Sequence, residues 1–169
     1  MKVRTISIRY EEFQADENLM EQDNLLVSSA KKALNSAYAP YSEFRVGAAV
    51  LLDNGELILG SNQENAAYPS GLCAERVALF HAKSKYPDSV VEAVAITANS
   101  ENFNINNPIT PCGACRQVIA EVESRQNKEI RIIMKGQTGP THIVNGISNL
   151  LPLVFKEDNL KRTKSKKSK

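Results

Sequence analysis

Several things that define other protein classes are scarce in this chain. Its 169 residues include no tryptophan, two histidines and three cysteines, and aromatics make up 6%. No stretch approaches the ~20 consecutive apolar residues of a membrane span. The N-terminal MKVRTISIRYEEF alternates apolar and polar residues and lacks the continuous apolar core of a secretory signal. These absences predict a cytoplasmic protein with no membrane partner. The odd cysteine count argues against a disulfide framework, and in a reducing compartment a C-x-x-C plus a third cysteine fits metal or redox chemistry better. Basic charge is also missing from the body. The net charge is +2, but the closing KRTKSKKSK holds six of the 21 Lys and Arg, leaving 15 basic against 19 acidic side chains elsewhere. A basic groove for nucleic acid is therefore not expected, and residues 161–169 read as a disordered, solvated basic tail.

What is present suits one domain with a proper core. Residues 2–10 alternate like a strand, and 11–23 read as an acidic, polar linker. Residues 23–38 have the apolar spacing of a helix, with Asp23 placed to cap it. Two apolar runs, about 45–52 and 56–62, flank Asp53-Asn54-Gly55, a strong hairpin signal. A helix is expected at 72–84, a buried strand at 90–98, a helix at 110–124, a strand at 129–135 and a short helix within 146–155. Helices alternating with the later strands predict parallel pairing covered on both faces, hence an α/β fold, a three-layer α/β/α sandwich.

The chemistry gathers around the cysteines. In TPCGACRQVI, Thr110 and Pro111 read as the start of a helix, so Cys112 and Cys115 share one face of its first turn. In SGLCAERVALF, Cys73 stands near the start of another helix. A helix N-terminus favours thiolate, the form that binds zinc. No fourth cysteine exists. His81 lies about two turns beyond Cys73, and His142 is far along the chain. Three ligands with an open position is the pattern of a catalytic rather than a structural zinc site. Glu75, two residues after Cys73, is then placed for general acid/base work. Arg76 can donate to the sulfurs and draw charge from them. The competing readings are a thioredoxin-like redox pair, three inert core cysteines, a solvated Glu75 and an ordinary surface arginine.

The C-A-E and P-C-G-A-C-R segments, with AYAPYSEFRVGAAV, GSNQENAAYPSGLCAERVAL and NLLPLVFKEDNL, resemble the small homotetrameric zinc-dependent cytidine deaminases from about Ala37 to Leu160. The resemblance implies a mixed five-stranded sheet between helices and one Zn2+ per chain on Cys73, Cys112 and Cys115. It implies that Glu75 moves protons between water and the cytosine ring, giving uridine and ammonia from a free nucleoside. Asn62 and Glu64 resemble the residues that hold the ribose, and their spacing puts both on one face of an extended segment. Phe44 resembles the aromatic residue that packs against the base, and Tyr68 lies in the substrate segment. Phe155 resembles a residue that reaches a neighbouring subunit's site. Glu64 beside the ribose would repel a phosphate, which favours cytidine and deoxycytidine over nucleotides or RNA. On this reading residues 1–22 are an N-terminal extension and 23–160 the catalytic domain. The alternatives are a same-fold deaminase of another aminated nucleoside, such as a blasticidin-type antibiotic, and a catalytically silent zinc-binding module.

Overall fold

The computed structural model describes residues 1–14, 18–156 and 160; the basic tail expected at 161–169 lies outside the described residues. Six strands form one mixed sheet in the order β1-β6-β5-β4-β2-β3. They are β1 (Glu11–Phe13), β2 (Phe44–Leu52), β3 (Leu57–Ser61), β4 (Val91–Ser100), β5 (Arg131–Lys135) and β6 (Thr141–Asn145). Three helices accompany them: α1 (Glu21–Ala33), α2 (Ala74–Lys85) and α3 (Gly113–Gln126). Among the described residues only the strands β4 and β5 pair in parallel, joined by the α3 crossover; the other neighbours are antiparallel. The expected three-layer α/β/α sandwich is present, with six strands where the resemblance implies five; the three-residue β1 adds an edge, and β6 forms where the chain's own pattern announced no strand.

The hairpin forms where Asn54-Gly55 placed it. Gly55 takes a positive φ of 83°, and the loop closes through Leu52 N–H to the Glu56 carbonyl. β4 is an almost continuous apolar run because both its faces are covered. Val91, Val94 and Ile96 pack with α2 and α3, whereas Ala93 and Ala95 pack with α1. On the α1 side the sheet presents Ala49, Ala93 and Ala95 beside the larger Leu51, Ile133 and Ile143, and Gly47 lets the helix lie close. A Cβ on Gly47 would meet the Ala30 carbonyl oxygen at 2.1 Å.

Three local expectations are corrected. Residues 2–10 form no strand. β1 begins at Glu11, opposite Ile143, and the ladder cannot run back past Arg9 because β6 ends at Asn145 and Gly146 turns away with φ 80°. Asp23 does not cap α1. The helix starts after Met20, and Asp23 is buried within the first turn, paired with Arg131 Nη2 on β5 at 2.9 Å. The short helix within 146–155 is a single tight turn at Ile147–Asn149.

Candidate active site

Cys73 and Cys112 each occupy the position that caps a helix, α2 and α3 respectively, and Cys115 follows in the first turn of α3. The helices therefore begin later than Thr110-Pro111 suggested, and the sulfurs stand beside the free N–H groups of two helix ends. Cys73 Sγ is 3.7 Å from Cys112 Sγ, which is 3.5 Å from Cys115 Sγ. All three sulfurs lie within 4.8 Å of one another, and they alone make up this group. Tetrahedral zinc with Zn–S bonds of ~2.3 Å holds its sulfurs about 3.8 Å apart, so the cluster fits that ion. His81 and His142 are elsewhere; His142 sits on β6 against Glu12 at 2.7 Å. Cys73 is pushed down to about 5, first by the Cys115 thiol and then by Arg76, against the effect of burial. The Cys73 contact and burial push Cys115 up.

Arg76 adds a positive donor to this cluster. Its Nη2 lies 3.6 Å from Cys73 Sγ and 3.5 Å from the Gly71 carbonyl. Its Nε is buried with no hydrogen-bond partner among the described residues, an orphaned donor on the side chain that reaches Cys73. Glu75 is one residue further into the helix than Ala74 and only 4% exposed. Loss of water raises its carboxyl above the ordinary value, with the negative Cys73 adding to the effect. A carboxyl held in this way suits proton transfer near neutral pH better than a solvated one.

Cys73, Cys112, Glu75 and Arg76 wall a cleft of about 660 Å³, which also takes in Phe44, Asn62, Glu64 and Tyr68. Asn62 ties β2 to the segment after β3. Its Oδ1 accepts from Val46 N–H at 2.8 Å and its Nδ2 donates to the Phe44 carbonyl at 2.9 Å. One donor hydrogen and one lone pair remain for a ligand. Glu64 holds the turn before β2, accepting from the backbone N–H groups of Tyr41 at 2.9 Å and Ser42 at 3.3 Å, and from the Ser42 hydroxyl. Those bonds lower its carboxyl below the ordinary value, the Ser42 hydroxyl contributing most. Tyr68 is exposed at the rim and meets Tyr41 edge-on at 6.0 Å. Phe155 is not brought to this cleft. It is 71% exposed on the far side of α3, its carbonyl held by Gln117 Nε2 at 2.8 Å.

Arg116 follows Cys115 directly on α3. Its Nε donates to the Pro111 carbonyl at 2.8 Å and its Nη1 to the Leu150 carbonyl at 2.7 Å. It thus ties the cysteine-bearing turn to the C-terminal segment, a partner no local pattern announces.

Residues 20–129 match the family model described as the cytidine and deoxycytidylate deaminase zinc-binding region. The chain belongs to this family. Two cytidine deaminases among its relatives are those of Sporosarcina psychrophila, 41% identical over 80% of this chain and 92% of that one, and Halalkalibacterium halodurans, 40% identical over 80% and 96%. The crystal structure of cytidine deaminase from Burkholderia pseudomallei superposes with a TM-score of 0.68 at 34% identity, covering 81% of this chain and all of that one. As a member of a zinc-binding deaminase family, the chain takes zinc as its metal, and its cysteine cluster is the fitting site. No helix among the described residues is long and apolar enough to cross a membrane.

Proposed function

We propose that this chain catalyses the hydrolytic deamination of cytidine and deoxycytidine to uridine and deoxyuridine, releasing ammonia. The observation that carries the reading is a buried carboxyl, Glu75, on the wall of the same cleft as Cys73 and Cys112, two members of the three-sulfur cluster. The close relatives named as cytidine deaminases support it.

Cys73, Cys112 and Cys115 would hold one Zn2+, which supplies Lewis acidity that makes water a nucleophile near neutral pH. Glu75 takes a proton from the attacking water and gives it to ring N3 as the C4–O bond forms. It then moves the proton of the new C4 hydroxyl to the amino group, so that the C4–N bond breaks, ammonia leaves and the C4 carbonyl of uridine remains. Its burial keeps these transfers inside the site. Arg76 offsets the negative charge of the thiolates by donating to Cys73. Phe44 packs against the pyrimidine, Asn62 and Glu64 hold the ribose, and Tyr68 borders the opening. The Glu64 carboxylate disfavours a 5′-phosphate, so the substrate is a free nucleoside and not a nucleic acid. The exposure of Phe155, away from its own cleft, supports a homotetramer in which it serves a neighbouring subunit. The free cysteines fit a cytoplasmic setting. The catalytic domain runs over 23–160, with 1–22 an N-terminal extension and 161–169 a basic tail.

The test is loss of cytidine's ultraviolet absorbance with zinc assayed in the same sample. The expected result is turnover with about one zinc per chain, and a Glu75→Gln variant that keeps the zinc while losing at least ~100-fold in rate. Zinc without turnover in the unaltered chain would move the reading to another amine substrate or a silent module.

A further inference from the structure

Residues 101–108, which follow β4, lie outside the motifs that carry the family resemblance, yet they reach a residue on one wall of the cleft. Phe103 stacks on Phe44 with ring centroids 6.2 Å apart and planes 21° from parallel, an offset aromatic pair. Beside it, Asn102 Nδ2 donates to Glu43 Oε2 at 2.8 Å. Two consecutive residues of this loop thus grip two consecutive residues at the entry of β2.

That entry requires holding. Glu43 has a φ of 53°, a left-handed conformation that costs a non-glycine residue energy and persists only where neighbours enforce it. The loop that supplies the grip is itself anchored. Ile105 is buried, its N–H donates to Gln137 Oε1 at 2.9 Å, and its carbonyl accepts from Gln137 N–H at 2.9 Å. Phe103 is therefore presented from a fixed stem, although its own ring is 57% exposed.

We propose that Phe103 is a positioning residue for the pyrimidine: by stacking on Phe44 it sets the ring plane that receives the base. This deepens the reading of the cleft as a pyrimidine site and rests on it. A Phe44 ring already ordered before substrate arrives spares the complex the cost of ordering it, so the effect belongs to binding. Phe103 is outside the cleft lining that Glu75 shares with Cys73 and Cys112, so the chemical steps should be untouched.

The experiment is steady-state kinetics of the zinc-loaded enzyme with Phe103→Ala, Phe103→Leu and Phe103→Tyr, alone and in a Phe44→Ala background. Losing the stack should raise KM for cytidine about five-fold in the Ala and Leu variants, with kcat within about two-fold of the unaltered enzyme. Tyr, which retains the ring, should restore KM, and the Phe103 effect should vanish once Phe44 is Ala. The Leu variant keeps an apolar side chain in place should Ala fail to fold. An unmoved KM, a fall confined to kcat, or an effect that persists without Phe44 overturns the proposal alone. An unaltered enzyme inert toward cytidine overturns the functional reading and this proposal with it.

Discussion

Glu64 does two kinds of work with one carboxylate. In the structure it holds the turn before β2 through Tyr41 and Ser42, and in the proposed complex it also meets the ribose. The first role makes it a stability determinant whose sign can be worked out. Its carboxyl lies below the ordinary value of 4.5, chiefly through the Ser42 hydroxyl. A depressed acid contributes its full stabilisation above the ordinary value and loses it as pH falls through the lowered one. At pH 7, Glu64→Gln should cost about 1 kcal/mol, since hydrogen bonds to a partly exposed charge are weakened but not lost. The gap between the two proteins in urea unfolding should close as the pH is taken below 4.5. A gap that widened on acidification would mean that the carboxylate is not what holds the turn. Because both chains carry the same cysteines, loss of metal in acid affects them alike and drops out of the difference.

Among the elements, α2 matters most, since it carries Cys73, Glu75 and Arg76, and its height above the sheet is set by Gly60 on β3. A Cβ there would lie 2.5 Å from the Ala74 carbonyl oxygen and 2.5 Å from Ala78 N, both backbone atoms that cannot rotate aside. Gly60→Ala should therefore lift the start of α2, costing about 2 kcal/mol of stability. It should also cost zinc affinity, because the Cys73 sulfur moves relative to Cys112; equilibrium unfolding and competition with a chelator measure the two. Retained zinc affinity would show that the cluster tolerates movement of α2. This contact, like several others that shape the molecule, joins residues far apart in the chain, and that explains what was legible in the sequence. The Asn54-Gly55 hairpin, the apolar run of β4 and the cysteine-bearing turns are local patterns and were readable. β6 is not legible in THIVN because its strand is owed to ladder partners on β5 and β1, which no local pattern shows. Asp23 was misread because an aspartate near a helix start looks the same whether it caps the helix or pairs with an arginine 108 residues away. The three sulfurs, Glu75 and Arg76 could be read within short motifs. The Phe103–Phe44 stack and the Arg116 tie to Leu150 could not, since each spans two segments that only the fold brings together.

At the scale of the whole molecule, the C-terminal segment poses a geometric problem that one chain does not solve. Leu153 is 82% exposed and Phe155 71% exposed, both large apolar side chains that a lone chain leaves in water. Phe155 is nevertheless fixed in place at its backbone by Gln117 on α3, and Arg116 on the same helix secures Leu150. The helix that carries Cys115 thus also fixes the backbone of the C-terminal aromatic, outside its own cleft. In the proposed homotetramer that aromatic meets the cleft of a second copy, and light scattering should then give about four times the 18.6 kDa chain mass. A sharper test uses two defective chains. Phe155→Ala should weaken every site in its own tetramer by withdrawing the neighbour's ring, and Glu75→Gln should silence every site in its own. Where the two chains meet after mixed refolding or co-expression, a site keeping Glu75 can receive Phe155 from the other chain. Activity should then exceed the sum of the two separate preparations. Were Phe155 to act only within its own chain, mixing would restore nothing, because no single subunit would hold both groups.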